Sequence, residues 1–120
     1  MKLAIVGSRD FHDYQLFLKH VNEALIYWKL NLYDFEEIVS GGAAGTDTLA
    51  ERLANDYNVK MTIFSPDWNK YGRAAGIIRN SDIVNHVDAM IAFPSKDSVG
   101  TYDSIRKAQL KQIPIVIVNI

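Results

Sequence analysis

Cysteine is absent from the 120 residues, so no disulfide framework and no thiolate metal site can form, and the chain carries no mark of a redox compartment. Long apolar runs are missing as well. None approaches the roughly 18 residues of a membrane span, and the apolar opening of "MKLAIVGSR" breaks at Gly7, too early for the core of a secretory leader. An excess of either charge is also lacking: 13 Lys and Arg stand against 14 Asp and Glu, a formal net charge of −1. That argues against a domain-wide grip on nucleic acid, which needs a basic surface, but leaves room for a local basic pocket. His12, His20 and His86 have no metal-ligand spacing and read as surface or capping residues. No Gly-x-Ser-x-Gly nucleophile elbow occurs. The expectation is a cytoplasmic protein with no membrane partner, no metal and no cofactor.

What is present is an ordinary globular balance, 48% hydrophobic and 22% charged, in a length that suits one domain over residues 1–120. Five short apolar runs rich in β-branched residues recur: "KLAIVG" from Lys2, "EEIVSG" from Glu36, "VKMTIF" from Val59, "DAMIAF" from Asp88 and "PIVIVNI" from Pro114. Such runs read as strands buried on both faces, as in a parallel sheet. Helical patterns separate them. In the first, Tyr14, Phe17, Leu18, Val21, Leu25 and Trp28 share one face behind Asp13 as N-cap. The second aligns Leu49, Leu53 and Tyr57. The third runs from about Arg73 to Val84, and the fourth turns Ile105 and Ala108 inward behind Thr101 as N-cap. The alternation predicts a doubly wound α/β fold: a five-stranded parallel sheet with helices on both faces.

Ligands of such sheets bind beyond the carboxyl ends of the strands. The segments found there are "GSRDF", "GGAAGTD", "SPDWNKYGRAAG" and "PSKDSVGT", all rich in Gly, Ser, Thr, Asp or Arg. Three glycines in "VSGGAAGTDTLAERLA" mean that something approaches the main chain closely, and a helix follows at once. Gly41, Gly42, Ala43, Gly45 and Thr46 therefore read as a phosphate cradle with a positive helix end behind it. The segment is neither a dinucleotide fingerprint nor a P-loop, and a plain tight turn is the alternative. Ser98, Gly100 and Thr101 offer a second such place. Arg9 and Arg79 are candidate counter-charges, with Asn80 beside Arg79 suited to anion or base recognition. Arg73 and Arg79 lie roughly 600° apart if on one helix, so at most one reaches the atoms that Arg9 reaches. Trp68 and Tyr71, in a polar loop, are a stacking wall for a base or else a cap over the core.

Together "GSR", "SGGAAGTDTLA", "W..YGRAAG..RN" and "D..IAFP…S.GT.D.I..A" resemble the SLOG superfamily, named for the Smf/DprA and Lonely Guy proteins. The likeness points to its YspA-like/YpsA-related branch, frequent in bacteria and phages. The resemblance implies a Rossmann-like fold and a single SLOG-like nucleotide-binding domain. It implies that Gly7, Ser8 and Arg9 form the first ligand-facing loop, and Gly41, Gly42, Gly45 and Asp47 the second. Arg79 falls where the Lonely Guy phosphoribohydrolases keep a catalytic arginine. Pro94, Gly100 and Thr101 fall on their Pro-Gly-Gly-x-Gly-Thr-x-x-Glu motif, but Ser104 stands in place of its glutamate. A carboxylate for N-glycoside cleavage would then come from Asp103, about 100° round the helix, or from Asp47 on another loop.

The leading expectation is a sensor or sequestering protein for AMP, ADP-ribose or a cyclic nucleotide. Its phosphate would lie on the Gly41–Thr46 and Ser98–Thr101 amides. The alternatives are a nucleoside 5'-monophosphate phosphoribohydrolase using Asp47 or Asp103 with Arg79, and a single-stranded DNA-binding protein. Relatives commonly dimerise, and "ALIYWKLNLY" (Ala24 to Tyr33) carries more aromatics than a solvated face requires, so a homo-oligomer is the further expectation.

Overall fold

A computed structural model describes all residues, 1–120. The strands are β1 (Lys2–Gly7), β2 (Glu37–Ser40), β3 (Lys60–Ile63), β4 (Ala89–Phe93) and β5 (Ile115–Ile117). All run parallel in one sheet, ordered β3-β2-β1-β4-β5. Chain order reverses at the centre, where β1 pairs with β4 in the register Leu3↔Ala89 to Gly7↔Phe93. The crevice of a doubly wound sheet opens at that reversal.

Alternation along each central strand decides the layers. Leu3, Ile5, Ile38, Ala89, Ile91 and Phe93 face one core. Ala4, Val6, Val39, Met90 and Ala92 face the other. The helices are α1 (Tyr14–Trp28), α2 (Thr46–Asp56), the single turn α3 (Trp68–Tyr71), α4 (Ala75–His86) and α5 (Val99–Lys111). Phe17, Val21 and Leu25 of α1 and Leu49 and Leu53 of α2 fill the first core. Ile83 and Val84 of α4 and Ile105 and Ala108 of α5 fill the second. The edge strands β3 and β5 are only partly buried, unlike β1, β2 and β4, because each has a neighbour on one side alone.

Asp13 caps α1 as its spacing predicts, accepting the Leu16 N–H at 3.1 Å. Other boundaries differ from the sequence pattern. Asp67 caps a helical turn at Trp68–Tyr71, so these aromatics lie on α3 rather than in a loop. A 3₁₀ turn over Gly72–Ala74 follows, and α4 begins at Ala75. Arg73 and Arg79 therefore do not share one helix. At α5 the N-cap position is Ser98, and Thr101 lies inside the first turn. His86 is more than a surface residue: its Nε2 meets the buried carboxylate of Glu37 at 3.0 Å and ties the end of α4 to β2.

Candidate functional site

Two adjoining lobes open beyond the carboxyl ends of β1, β2 and β4, about 300 and 640 Å³ in volume. Arg9, Gly41, Ala43, Arg79, Asn80 and Gly100 wall both. The smaller lobe adds Gly7, Ser8, Asp47, Ser98 and Thr101; the larger adds Gly42, Trp68, Arg73 and Asp103. Loops distant in sequence thus converge at the reversal of strand order. Four expected residues line neither lobe: Gly45, Thr46, Tyr71 and Pro94. Thr46 stands behind the wall, donating its hydroxyl to the Ser8 carbonyl at 2.9 Å. The Pro94 carbonyl accepts the Ile120 N–H at 3.1 Å. Tyr71 is exposed, with the Lys70 ammonium 5.1 Å over its ring.

The glycines answer first to the protein itself. A Cβ at Gly41 would strike the guanidinium of Arg79, and one at Gly45 would strike the backbone of Ser8 and Arg9. Gly45 also has φ +73°, a left-handed conformation that glycine adopts without strain. The close approach predicted for this loop is therefore made by the chain's own atoms.

Arg79 is half-buried and heavily engaged. Nη1 donates to the carbonyls of Gly41 at 2.9 Å and Phe64 at 3.4 Å, and Nε donates to Asn80 Oδ1 at 2.9 Å. Nη2 is the nitrogen left for a ligand. Burial pulls this guanidinium below its ordinary pKa, Asp47 opposes that, and the nearby positive charge of Arg9 adds to it. The amide of Asn80 is equally committed, donating to the Gly100 carbonyl at 3.2 Å and to Asp103 at 3.1 Å. Asn80 therefore couples Arg79 to the start of α5 and has little left for a base. None of Arg9, Arg73 and Arg79 is ion-paired to a carboxylate.

The two carboxylates differ sharply. Asp103 is held by Lys107 at 2.8 Å and Arg106 at 3.0 Å besides Asn80. Burial works to raise its pKa, but these donors outweigh it and keep Asp103 below the ordinary carboxylate range. Asp47 is 6% exposed, with Oδ2 accepting the Ala43 N–H at 3.1 Å and Oδ1 buried without a partner. Burial lifts its pKa to about 6, against the pull of the Ala43 amide, Arg79 and the Gly41 amide. At the mouth of α5, the N–H groups of Gly100 and Thr101 make no backbone hydrogen bond, as expected of a helix start.

A model of the YAcAr family, described as "YspA, cpYpsA-related SLOG family", matches residues 1–71. The chain belongs to this family. Its matched segment carries the Gly7–Arg9 and Gly41–Asp47 loops and ends on α3, so Arg79, Asn80 and the α5 loop enter the site through geometry. The chain is 38% identical to "Gene 61 protein" of Mycobacterium phage D29, over 66% of this chain and 68% of that one. The solved structure of TM1055, a structural-genomics target, superposes with a TM-score of 0.64 over 95% of this chain and 71% of its own. At 14% identity that likeness establishes the α/β Rossmann-like fold.

Several lining residues were not singled out by the sequence: Asp10, Ser95, Asp97 and Val99 in the smaller lobe, Ser65, Pro66, Gly76 and Ile77 in the larger. Most fall within the four post-strand segments, which was the available signal. Ile77 alone falls outside them, an apolar helix residue left 57% exposed beside the larger lobe.

Proposed function

We propose that this SLOG-family chain binds a nucleotide or nucleotide derivative in the two-lobed hollow, as a sensor or sequestering protein. One observation carries the reading: three arginines, none paired to a carboxylate, line a hollow at the reversal of strand order, in a chain of net charge −1. The positive charge of Arg9 already acts against that of Arg79, and an anion between them removes that cost. The free Gly100 and Thr101 amides add donors to the same place. The half-exposed indole of Trp68 and the side chain of Ile77, which line the same larger lobe, supply apolar surface for a base there. Both volumes suit a small ligand, for which roughly 300–1,000 Å³ is usual. Calorimetric titration with AMP, ADP-ribose, NAD and cyclic nucleotides tests the proposal. Binding of at least one is expected, and silence from all with folded protein would sink it.

A second reading, phosphoribohydrolase chemistry, draws on Asp47. A buried carboxyl that titrates at about 6 in the wall of an anion site is suited to proton transfer near neutrality. Asp103, tied to three donors, is the poorer candidate. Release of free base from AMP, abolished in Asp47→Asn, is the expected result under this reading. Absence of turnover returns the site to binding alone. Self-association belongs to the proposal through the exposed Ile26, Tyr27 and Tyr33 face, which light scattering reads.

A further inference from the structure

Three serine hydroxyls in the wall of the smaller lobe can be followed proton by proton. Ser95 Oγ donates to Ser8 Oγ at 3.0 Å and lies 2.8 Å from Ser98 Oγ. A serine hydroxyl has one proton and two acceptor lone pairs. With the Ser95 proton committed to Ser8, the second contact is donated by Ser98. Ser98 Oγ in turn accepts the Ser95 N–H at 2.9 Å. At the far end Ser8 Oγ accepts twice, from Ser95 and from the Asp10 N–H at 3.1 Å. Both lone pairs of Ser8 are filled, and its own proton has no acceptor in the protein.

The Ser8 backbone is fixed just as firmly. Its N–H donates to the Phe93 carbonyl at 2.8 Å, and its carbonyl accepts from the Thr46 N–H at 3.0 Å and the Thr46 hydroxyl at 2.9 Å. The residue is 3% exposed, and it lines the lobe. A buried hydroxyl with one unspent proton, beside Arg9 and Arg79, is built to donate to something that enters.

We propose that Ser98, Ser95 and Ser8 form a one-way hydroxyl relay whose single free proton, on Ser8, is presented to an unprotonated oxygen of the bound ligand, with Ser95 as the residue that sets its direction. This rests on the anion-binding reading of the hollow and adds a specificity rule to it. Hydroxyls in a chain polarise one another, which makes the last a better donor than an isolated serine. A ligand amine or hydroxyl placed there as a donor finds no lone pair to accept it. The relay therefore selects an acceptor oxygen such as that of an ionised phosphate. Removing the Ser95 hydroxyl frees a lone pair on Ser8 and lets its proton rotate away.

Calorimetry of the full chain with AMP, inorganic phosphate and adenosine tests this. Ser95→Ala is expected to weaken AMP and phosphate about five- to tenfold, with Ser8→Ala at least as severe. Ser95→Thr, which keeps the hydroxyl, is expected to recover most of the loss. Adenosine affinity and melting temperature should hold in Ser95→Ala, whereas a general loosening would lower both. Neutron diffraction should show the Ser98 deuteron directed at Ser95 Oγ, the Ser95 deuteron at Ser8 Oγ, and the Ser8 deuteron towards the lobe. Unchanged AMP affinity in Ser95→Ala, or a Ser95 deuteron directed at Ser98 Oγ, overturns the relay and leaves the anion site standing. Silence of the folded wild-type chain towards phosphate, AMP, ADP-ribose, NAD and cyclic nucleotides alike overturns the anion-binding reading itself, and the specificity rule with it. Where only one of the other nucleotides binds, that nucleotide takes the place of AMP in the variant titrations.

Discussion

Arg79 is at once a wall of the hollow and a tie between the loop after β2, the loop after β3 and α4. An exposed helix arginine would cost the fold little when removed; this one leaves two backbone carbonyls and the Asn80 amide oxygen without their donor. Arg79→Ala is therefore expected to lower stability by about 1–3 kcal/mol as well as weakening AMP tenfold or more. Arg79→Lys should recover some affinity and little stability, because a point charge does not reproduce the planar fork. Urea unfolding and calorimetry on the same samples separate the two effects; intact affinity per folded molecule would make Arg79 purely structural. Asp47 gives a second prediction. A folded-state pKa of about 6 lies above the ordinary 3.8, so its neutral form is the one the fold favours. Its stabilising contribution is full below about pH 4 and is lost as pH rises through 6. Relative to Asp47→Asn, the wild-type chain should lose stability on the order of 3 kcal/mol between pH 4 and pH 8. A difference that stays flat across that range counts against the buried carboxyl.

The junction of β1 with α2 is the element on which the site turns. Gly45 lets the start of α2 lie against Ser8 and Arg9, and Thr46 then fastens it with two hydrogen bonds to the Ser8 carbonyl. Gly45→Ala combines a left-handed φ with a backbone collision, so a loss of at least about 2 kcal/mol is expected. Thermal unfolding measures it, and a shift under one degree would show that the junction yields. Strands were legible in the sequence because a buried parallel strand is a continuous apolar run, and "KLAIVG" matches β1 end to end. Helix α3 was not legible, since four residues give no period to read; only Asp67, three residues before Lys70, marks its cap. The start of α5 was displaced for a similar reason. Ser98 and Thr101 are both fit to cap, and local chemistry alone does not choose between them.

At the scale of the molecule, the loops of the site were legible and their mutual contacts were not. Topology places every post-strand loop on one edge, so Arg9, Gly41 and Gly100 could be grouped from the sequence. The bond from Arg79 to Gly41 spans 38 residues and that from Ser95 to Ser8 spans 87, and nothing local encodes either. For that reason the hold of Gly100 and Asp103 on the Asn80 amide could not be read ahead, and Ser95 passed unnoticed.

The position of β1 also sets a timetable. Its partner on one side, β2, follows after one helix, but the register with β4 joins Leu3 to Ala89. At roughly 5–20 residues per second of synthesis, a nascent chain waits several seconds with the β4-facing edge of Leu3–Gly7 unoccupied. That edge is an invitation to other unfinished chains. The hollow, which needs Ser8, Arg79 and Thr101 together, comes late, with only the rest of α5 and β5 still to follow. A ligand can therefore reward only a chain made past Thr101, and a product cut short before Ala89 would be left with a hungry strand and nothing to bind.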